Sequence, residues 1–62
     1  MEEKPTILIV DDQARDRESL AGILKKEGYP YIEAPAALPA IEILKSRDIS
    51  LILLDLQLPD IN

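Results

Sequence analysis

The chain has 62 residues, a formal net charge of −5 at pH 7, and neither cysteine nor histidine. This composition excludes disulfide bonds, thiol nucleophiles and the imidazole or thiolate sites that bind zinc, which leaves carboxylates and amines for chemistry. Its seven basic residues are scattered among twelve acidic ones, which argues against a nucleic-acid surface. The longest apolar runs, 7–10 and 51–54, are too short for a membrane span, and the start MEEK has neither a basic leader nor a long apolar stretch behind it. We therefore expect a soluble, cytoplasmic chain.

The first predicted element is a strand at residues 6–10, where β-branched residues follow Pro5 and stop before Asp11 and Asp12. An uninterrupted apolar run of this length is typical of a strand buried on both faces. A helix is predicted for residues 13–27, because apolar residues recur there at helical spacing. Gly28 is the predicted carboxyl-terminal cap of this helix.

The second half of the chain predicts two more strands and one helix. Residues 29–33 are β-prone and contain Pro30, which favours an edge strand. Pro39 would cost about 3 kcal/mol in a helix interior, so the next helix is predicted to begin near Leu38 and not at Pro35. Residues 49–54 are a second continuous apolar run, which predicts another fully buried strand, and residues 56–62 are predicted to form a loop.

This β-α-β-α-β alternation predicts an α/β fold, with a parallel sheet covered by helices on both faces. In a sheet of flavodoxin-like order, ligands bind beyond the carboxyl ends of the first and third strands. Those two ends carry Asp11, Asp12 and Asp55. Three converging carboxylates repel one another unless a cation joins them, and an oxygen-only site suits Mg²⁺.

Each aspartate alone has a simpler explanation. Asp12 is well placed to cap a helix, and Asp55 could mark the end of a strand. Gln57 and Pro59 fit an ordinary loop. The combination favours a phosphorylation site over these explanations, because a double Asp follows one apolar strand and an Asp with a nearby proline follows another.

Residues 7–12 (ILIVDD) and 51–62 (LILLDLQLPDIN) resemble the two hallmark segments of two-component receiver domains, and residues 17–20, 28–29 and 33–34 resemble the family's first helix and second strand. The resemblance implies that Asp55 takes a phosphoryl group from a phosphohistidine of a sensor histidine kinase. It also implies that Asp11 or Asp12 and Asp55 hold Mg²⁺, with the backbone carbonyl of Gln57 as a further ligand. Such a phosphoacceptor is not an enzyme, and its chemistry needs positioning and charge neutralisation more than a side-chain base.

The resemblance covers essentially the whole chain but only about half of the family's domain. The family's later hydroxyl residue, lysine and aromatic switch residue would follow Asn62. We therefore expect residues 1–62 to be a truncated receiver domain of three strands and two helices, with phosphorylation possible without signalling.

Two further functions are open. A structural or interaction half-domain would self-associate through the exposed edge of its third strand, and the homodimer would complete the fold. A hydrolase of the haloacid dehalogenase type also uses an Asp at a strand end, but that family has a second Asp two residues later, where this chain has Gln57. The predicted partners are thus a sensor kinase and a second copy of the chain, without nucleic acid or membrane.

Overall fold

The computed structural model describes residues 4–55 and 57–60. Its elements follow the predicted order, and their bounds differ from the predicted ones by no more than two residues. They are β1 (Ile7–Val10), α1 (Ala14–Lys26), β2 (Tyr31–Ala34), α2 (Ala37–Ser46) and β3 (Leu51–Leu54). Residues 57–60 lie in neither a helix nor a strand, as the loop prediction requires, whereas residues 56, 61 and 62 of that loop lie outside the described residues.

The three strands form one parallel sheet in the order β2-β1-β3. Leu8 of β1 lies opposite Ile32 on one side and Ile52 on the other. The chain goes from β1 to β2 on one side of β1, and then crosses over β1 to reach β3 on its other side. Connections between parallel strands are right-handed as a rule, and two such connections of opposite direction place α1 and α2 on opposite faces of the sheet. The predicted flavodoxin-like arrangement is confirmed.

β1 is the centre of the core and is buried along its whole length, as predicted. Side chains alternate between the faces of a strand, so residues two apart share one face. The buried cluster on the α2 face consists of Leu8, Val10, Ala34, Ala40 and Leu58. Ile7 and Ile9 point to the opposite face and are also buried. The core therefore holds the carboxyl end of β1 in place from both faces.

β2 is an edge strand, as predicted, because β1 is its only partner among residues 4–55 and 57–60. Pro30 precedes β2 and removes no hydrogen bond from the ladder, and its carbonyl accepts the Ile7 N–H at 2.9 Å. Gly28 follows α1 with a φ of +81°, a left-handed conformation that favours glycine. Its N–H donates to the Lys25 carbonyl at 3.1 Å, so the predicted glycine cap is confirmed.

Helix α2 begins at Ala37, one residue before the predicted start, and Pro39 is its third residue. The N–H groups of a helix's first turn have no acceptor within the helix. Proline at this position therefore removes no hydrogen bond, and the helix includes it without the penalty expected for an interior position.

The prediction that the third strand is fully buried is wrong for these residues. Leu51, Ile52 and Leu54 of β3 are 50%, 40% and 54% exposed. Within the described part of the chain, only β1 pairs with β3, and both helices lie over β1 and β2. The apolar side chains of β3 are suited to burial, but too few of the described residues pack against them to cover them.

Neither α1 nor α2, the helices of the described residues, combines the length and the apolar character needed to cross a bilayer.

Candidate functional site

The candidate site lies beyond the carboxyl ends of β1 and β3, which are neighbours in the sheet. Val10 and Leu54, the last residues of these strands, are register partners. The N–H of Asp55 donates to the Val10 carbonyl at 2.8 Å, and the N–H of Asp11 donates to the Ala34 carbonyl at 3.1 Å. The ladder hydrogen bonds thus continue into both aspartates, and the sheet itself fixes their backbones.

Asp11, Asp12 and Asp55 come together as the sequence predicts. Each contributes a carboxylate oxygen, and these oxygens lie within 4.8 Å of one another. All three side chains are at least partly exposed to solvent. Neither ion pair among the described residues involves these carboxylates, since Arg17 pairs with Glu33 and Lys45 with Glu42. The cluster therefore has the concentrated negative charge and the open access that a hard cation requires.

One carboxylate oxygen of Asp11 and one of Asp55 are held by the backbone two residues later. The Gln13 N–H donates to Asp11 Oδ1 at 2.9 Å, and the Gln57 N–H donates to Asp55 Oδ1 at 3.1 Å. Both are local turns that aspartate favours, and both limit rotation of the carboxylate. The two side chains are consequently oriented by their own loops before any ligand binds.

The simple capping explanation for Asp12 does not fit the structure. The residue at the amino-terminal cap of α1 is Gln13, and its side chain makes no capping hydrogen bond. Asp12 instead lies in the carboxylate cluster. Because the helix begins one residue too late for Asp12 to be its cap, the capping explanation does not account for this residue.

Arg17 supports the site from α1, a role that no sequence pattern predicted. Its Nη1 donates to the backbone carbonyl of Asp11 at 2.7 Å, and its Nε lies 3.4 Å from Glu33 Oε1 on β2. The side chain is 19% exposed, so these contacts are partly shielded from water. Arg17 thereby connects the residue that follows β1 with Glu33 of β2. The resemblance of residues 17–20 to the family's first helix was a signal for this position, but it assigned no contact to Arg17.

The segment after β3 is fixed by two contacts that the sequence patterns did not predict either. Leu58 is buried in the core cluster. The Asp60 carboxylate accepts the N–H groups of Ala37 at 2.8 Å and Leu38 at 2.6 Å. These two hydrogen bonds, with that to Leu38 the stronger influence, hold the pKa of Asp60 below its ordinary value. The segment carrying Gln57 is therefore anchored to α2 as well as to β3.

Comparison with known proteins identifies the family. The family model of the response regulator receiver domain matches residues 7–62, which is nearly the whole chain. The chain belongs to the response regulator receiver family. The resemblance inferred from the two aspartate segments is confirmed, and the matched residues include the whole carboxylate cluster.

Individual relatives of this receiver include both regulators and a kinase. The chain is 40% identical over 58 residues to the aerobic respiration control protein ArcA of Escherichia coli K12, covering 94% of the chain and 24% of that protein. It is 46% identical over 54 residues to the phosphate regulon transcriptional regulatory protein PhoB of Pseudomonas aeruginosa, covering 87% of the chain and 24% of PhoB. It is 40% identical over 53 residues to the sensor histidine kinase AruS of the same species, covering 86% of the chain and 5% of AruS.

The receiver spans about a quarter of the length of the regulators that it matches. No solved structure matches the chain. The relatives thus place receivers of this kind both in regulators and within a sensor kinase, in two-component signalling.

Proposed function

We propose that this receiver accepts a phosphoryl group on Asp55 from a phosphohistidine of a sensor histidine kinase. The observation that carries the proposal is the approach of the Asp11, Asp12 and Asp55 carboxylates to within 4.8 Å at the ends of adjacent strands. Family membership supports it, because phosphoryl acceptance is the activity of receiver domains. The similarity to a sensor histidine kinase supports the choice of donor.

Mg²⁺ is the cofactor that we propose for this site. The donor set consists of carboxylate oxygens, and the chain contains neither histidine nor cysteine, so the chemistry suits a hard cation. Asp11, Asp12 and Asp55 would hold the ion, and the backbone carbonyl of Gln57 would be a further ligand. When bound, the ion would neutralise the charge of the carboxylates and of the incoming phosphoryl group.

In the proposed transfer, a carboxylate oxygen of Asp55 forms a bond to phosphorus as the N–P bond of the phosphohistidine breaks. The bonding electron pair stays with the imidazole nitrogen, which takes a proton from solvent, and the product is an acyl phosphate. A carboxylate nucleophile has no proton to remove, so no side-chain base is required. The hydrogen bond from the Gln57 N–H to Asp55 limits rotation of the carboxylate and favours its in-line approach.

We also propose that the chain is a phosphoacceptor and not an enzyme. A hydrolase of the haloacid dehalogenase type would need a second aspartate two residues after the nucleophile, and Gln57 stands there. Without that acid, release of phosphate should be limited to the amount of acyl phosphate formed. Sustained release of phosphate from a small phosphate ester, many times the amount of chain, would contradict this part of the proposal.

The proposed phosphorylation is tested by intact mass measurement after incubation with Mg²⁺ and acetyl phosphate. We expect a single phosphoryl adduct on the chain, loss of the adduct when Mg²⁺ is chelated, and no adduct on Asp55→Asn. Asp48→Asn is the matched control, because Asp48 is an exposed aspartate just before β3, at the opposite end of that strand. This control should be phosphorylated as the original chain is.

Two outcomes would reject the proposal. One is an equal adduct on Asp55→Asn, which would place the phosphoryl group on another residue. The other is the absence of any adduct from a chain whose circular dichroism shows that it is folded, which would mean that these described elements do not form a working acceptor.

We propose self-association as a second function, on the basis of the exposed surface of β3. Leu51, Ile52 and Leu54 are between 40% and 54% exposed, and β1 is the only strand of residues 4–55 and 57–60 that pairs with β3. An apolar strand with an unpaired edge favours pairing with another strand. A second copy of the chain is the proposed partner, and the two copies would form a homodimer through β3. The homodimer, the cytoplasmic location and the lack of nucleic-acid or membrane partners stay predictions.

A further inference from the structure

Helix α2 begins without a capping side chain of its own. The residue at its amino-terminal cap is Ala36, and the first turn contains no acidic residue. The first N–H groups of a helix have no acceptor within the helix and need one from elsewhere. At Ala37 and Leu38 that acceptor is Asp60, which lies 23 and 22 residues later in the chain. A carboxylate here also interacts favourably with the positive end of the helix dipole.

The same carboxylate belongs to the segment that follows the proposed phosphoacceptor. Between Asp55 and Asp60 the chain has three fixed points among its described residues. They are the hydrogen bond from the Gln57 N–H to Asp55, the burial of Leu58 in the core, and the pair of hydrogen bonds at Asp60. Gln57 is thus followed by two further fixed points, Leu58 and Asp60, and Asp60 is the outer one.

We propose that Asp60 is a positioning residue for the phosphoacceptor, because one carboxylate both caps α2 and fixes the segment that orients Asp55 and the Gln57 carbonyl. This inference rests on the proposed phosphorylation of Asp55. Charged hydrogen bonds from a carboxylate to helix N–H groups are stronger than neutral ones, so Asp60 holds the segment more firmly than a neutral turn would. Loss of this contact leaves the segment held only by the burial of Leu58 and by the hydrogen bond between Gln57 and Asp55, while Asp11, Asp12 and Asp55 stay unchanged in the chain.

The difficulty in testing a positioning role is that Asp60→Ala also removes a helix cap. A second substitution separates the two effects. Ala36 has the extended backbone that suits a capping residue, with φ of −160° and ψ of 171°. Ala36→Ser therefore supplies a local hydroxyl to the free N–H groups of α2 without connecting the helix to the segment after β3.

The measurement is the rate constant for phosphorylation by acetyl phosphate with Mg²⁺, determined with the melting temperature for each chain. We expect Asp60→Ala to lower both, with the rate falling on the order of 10-fold, as is typical when a residue that orients a ligand is removed. The double variant Asp60→Ala with Ala36→Ser should recover the melting temperature but not the rate. Asp60→Asn keeps one acceptor oxygen and should restore part of the rate.

Amide hydrogen exchange provides a readout that does not depend on phosphorylation. The amides of Gln57 and Leu58 should exchange faster in Asp60→Ala and in the double variant than in the original chain. If the original chain shows no phosphoryl adduct, the proposed function fails, and faster exchange in both variants would still show that Asp60 holds the segment. Recovery of both the rate and slow exchange by Ala36→Ser would overturn the inference, since Asp60 would then act only as a helix cap. An unchanged rate in Asp60→Ala would overturn it as well.

Discussion

β1 and β3 have nearly the same composition and opposite surroundings. β1 reads ILIV and β3 reads LILL, and the two pair in parallel along their whole length. Yet Leu8 is fully buried whereas its register partner Ile52 is 40% exposed. β1 has a strand on each side and helices over both faces, but β3 has β1 alone among residues 4–55 and 57–60. An apolar run therefore indicates that a strand can be buried, and the elements that pack around the strand determine how much of its surface is buried.

The largest expected effect comes from truncating the two register partners. Leu8→Ala should lower the free energy of unfolding by about 2–5 kcal/mol, because it leaves a cavity in a closed core. Ile52→Ala should cost much less, since a large part of its side chain already meets water. Urea denaturation of both variants measures the difference. Equal losses would show that β3 is covered in solution, and would remove the contrast between the strands.

Dilution tests whether a second copy covers β3. If two chains fold as a dimer through this edge, a tenfold dilution should lower the apparent free energy of unfolding by about 1.4 kcal/mol per dimer. Leu51→Lys should abolish that dependence, because a lysine on a strand edge opposes pairing. Leu38→Lys is the matched control, since Leu38 is an exposed leucine on α2. A melting temperature that stays constant on wide dilution of the original chain would count against the homodimer.

A smaller effect should appear on acidification, and it concerns the segment after β3. The folded pKa of Asp60 lies below its ordinary value of 3.8, because its carboxylate accepts the N–H groups of Leu38 and Ala37. Its stabilising contribution is therefore complete above that ordinary value and is lost as the pH falls through the lowered folded pKa.

Asp60→Asn should remove this part of the pH dependence in urea denaturation. The variant and the original chain should converge in stability at the acidic end and differ most at neutral pH. A constant difference between them at all pH values would mean that the Asp60 charge does not contribute.

The sequence predicted the order of the elements, the parallel sheet and the meeting of Asp11 and Asp55 at one edge. These features follow from local periodicity and from the geometry of parallel strands, in which carboxyl ends share an edge. The contacts of Arg17 with Asp11 and of Asp60 with α2 could not be predicted from these local patterns. They join residues from different elements, and they depend on side-chain conformations that no local pattern encodes.

The exposure of β3 was missed for a different reason. Burial is a property of the assembled neighbours, whereas the pattern describes only the strand itself. The start of α2 was predicted within one residue because the constraint on Pro39 is a local one. Local sequence rules thus predict the helices, the strands and the general position of the site. The contacts that hold the site in place depend on tertiary structure and are not predicted by these rules.

The parallel sheet also separates the parts of the chain that tolerate changes in length from those that do not. The exposed parts of the connections that lead into β2 and β3, residues 27–28 and 47–48, lie at the ends of the strands opposite the carboxylates. An inserted residue there would lengthen a surface turn and leave the register of Val10 with Leu54 unchanged. The same insertion within β3 would shift Asp55 by one strand position and turn the following side chains to the other face. The receiver scaffold can therefore vary in length at the amino ends of its strands, while the spacing of the aspartates at the carboxyl ends stays constant.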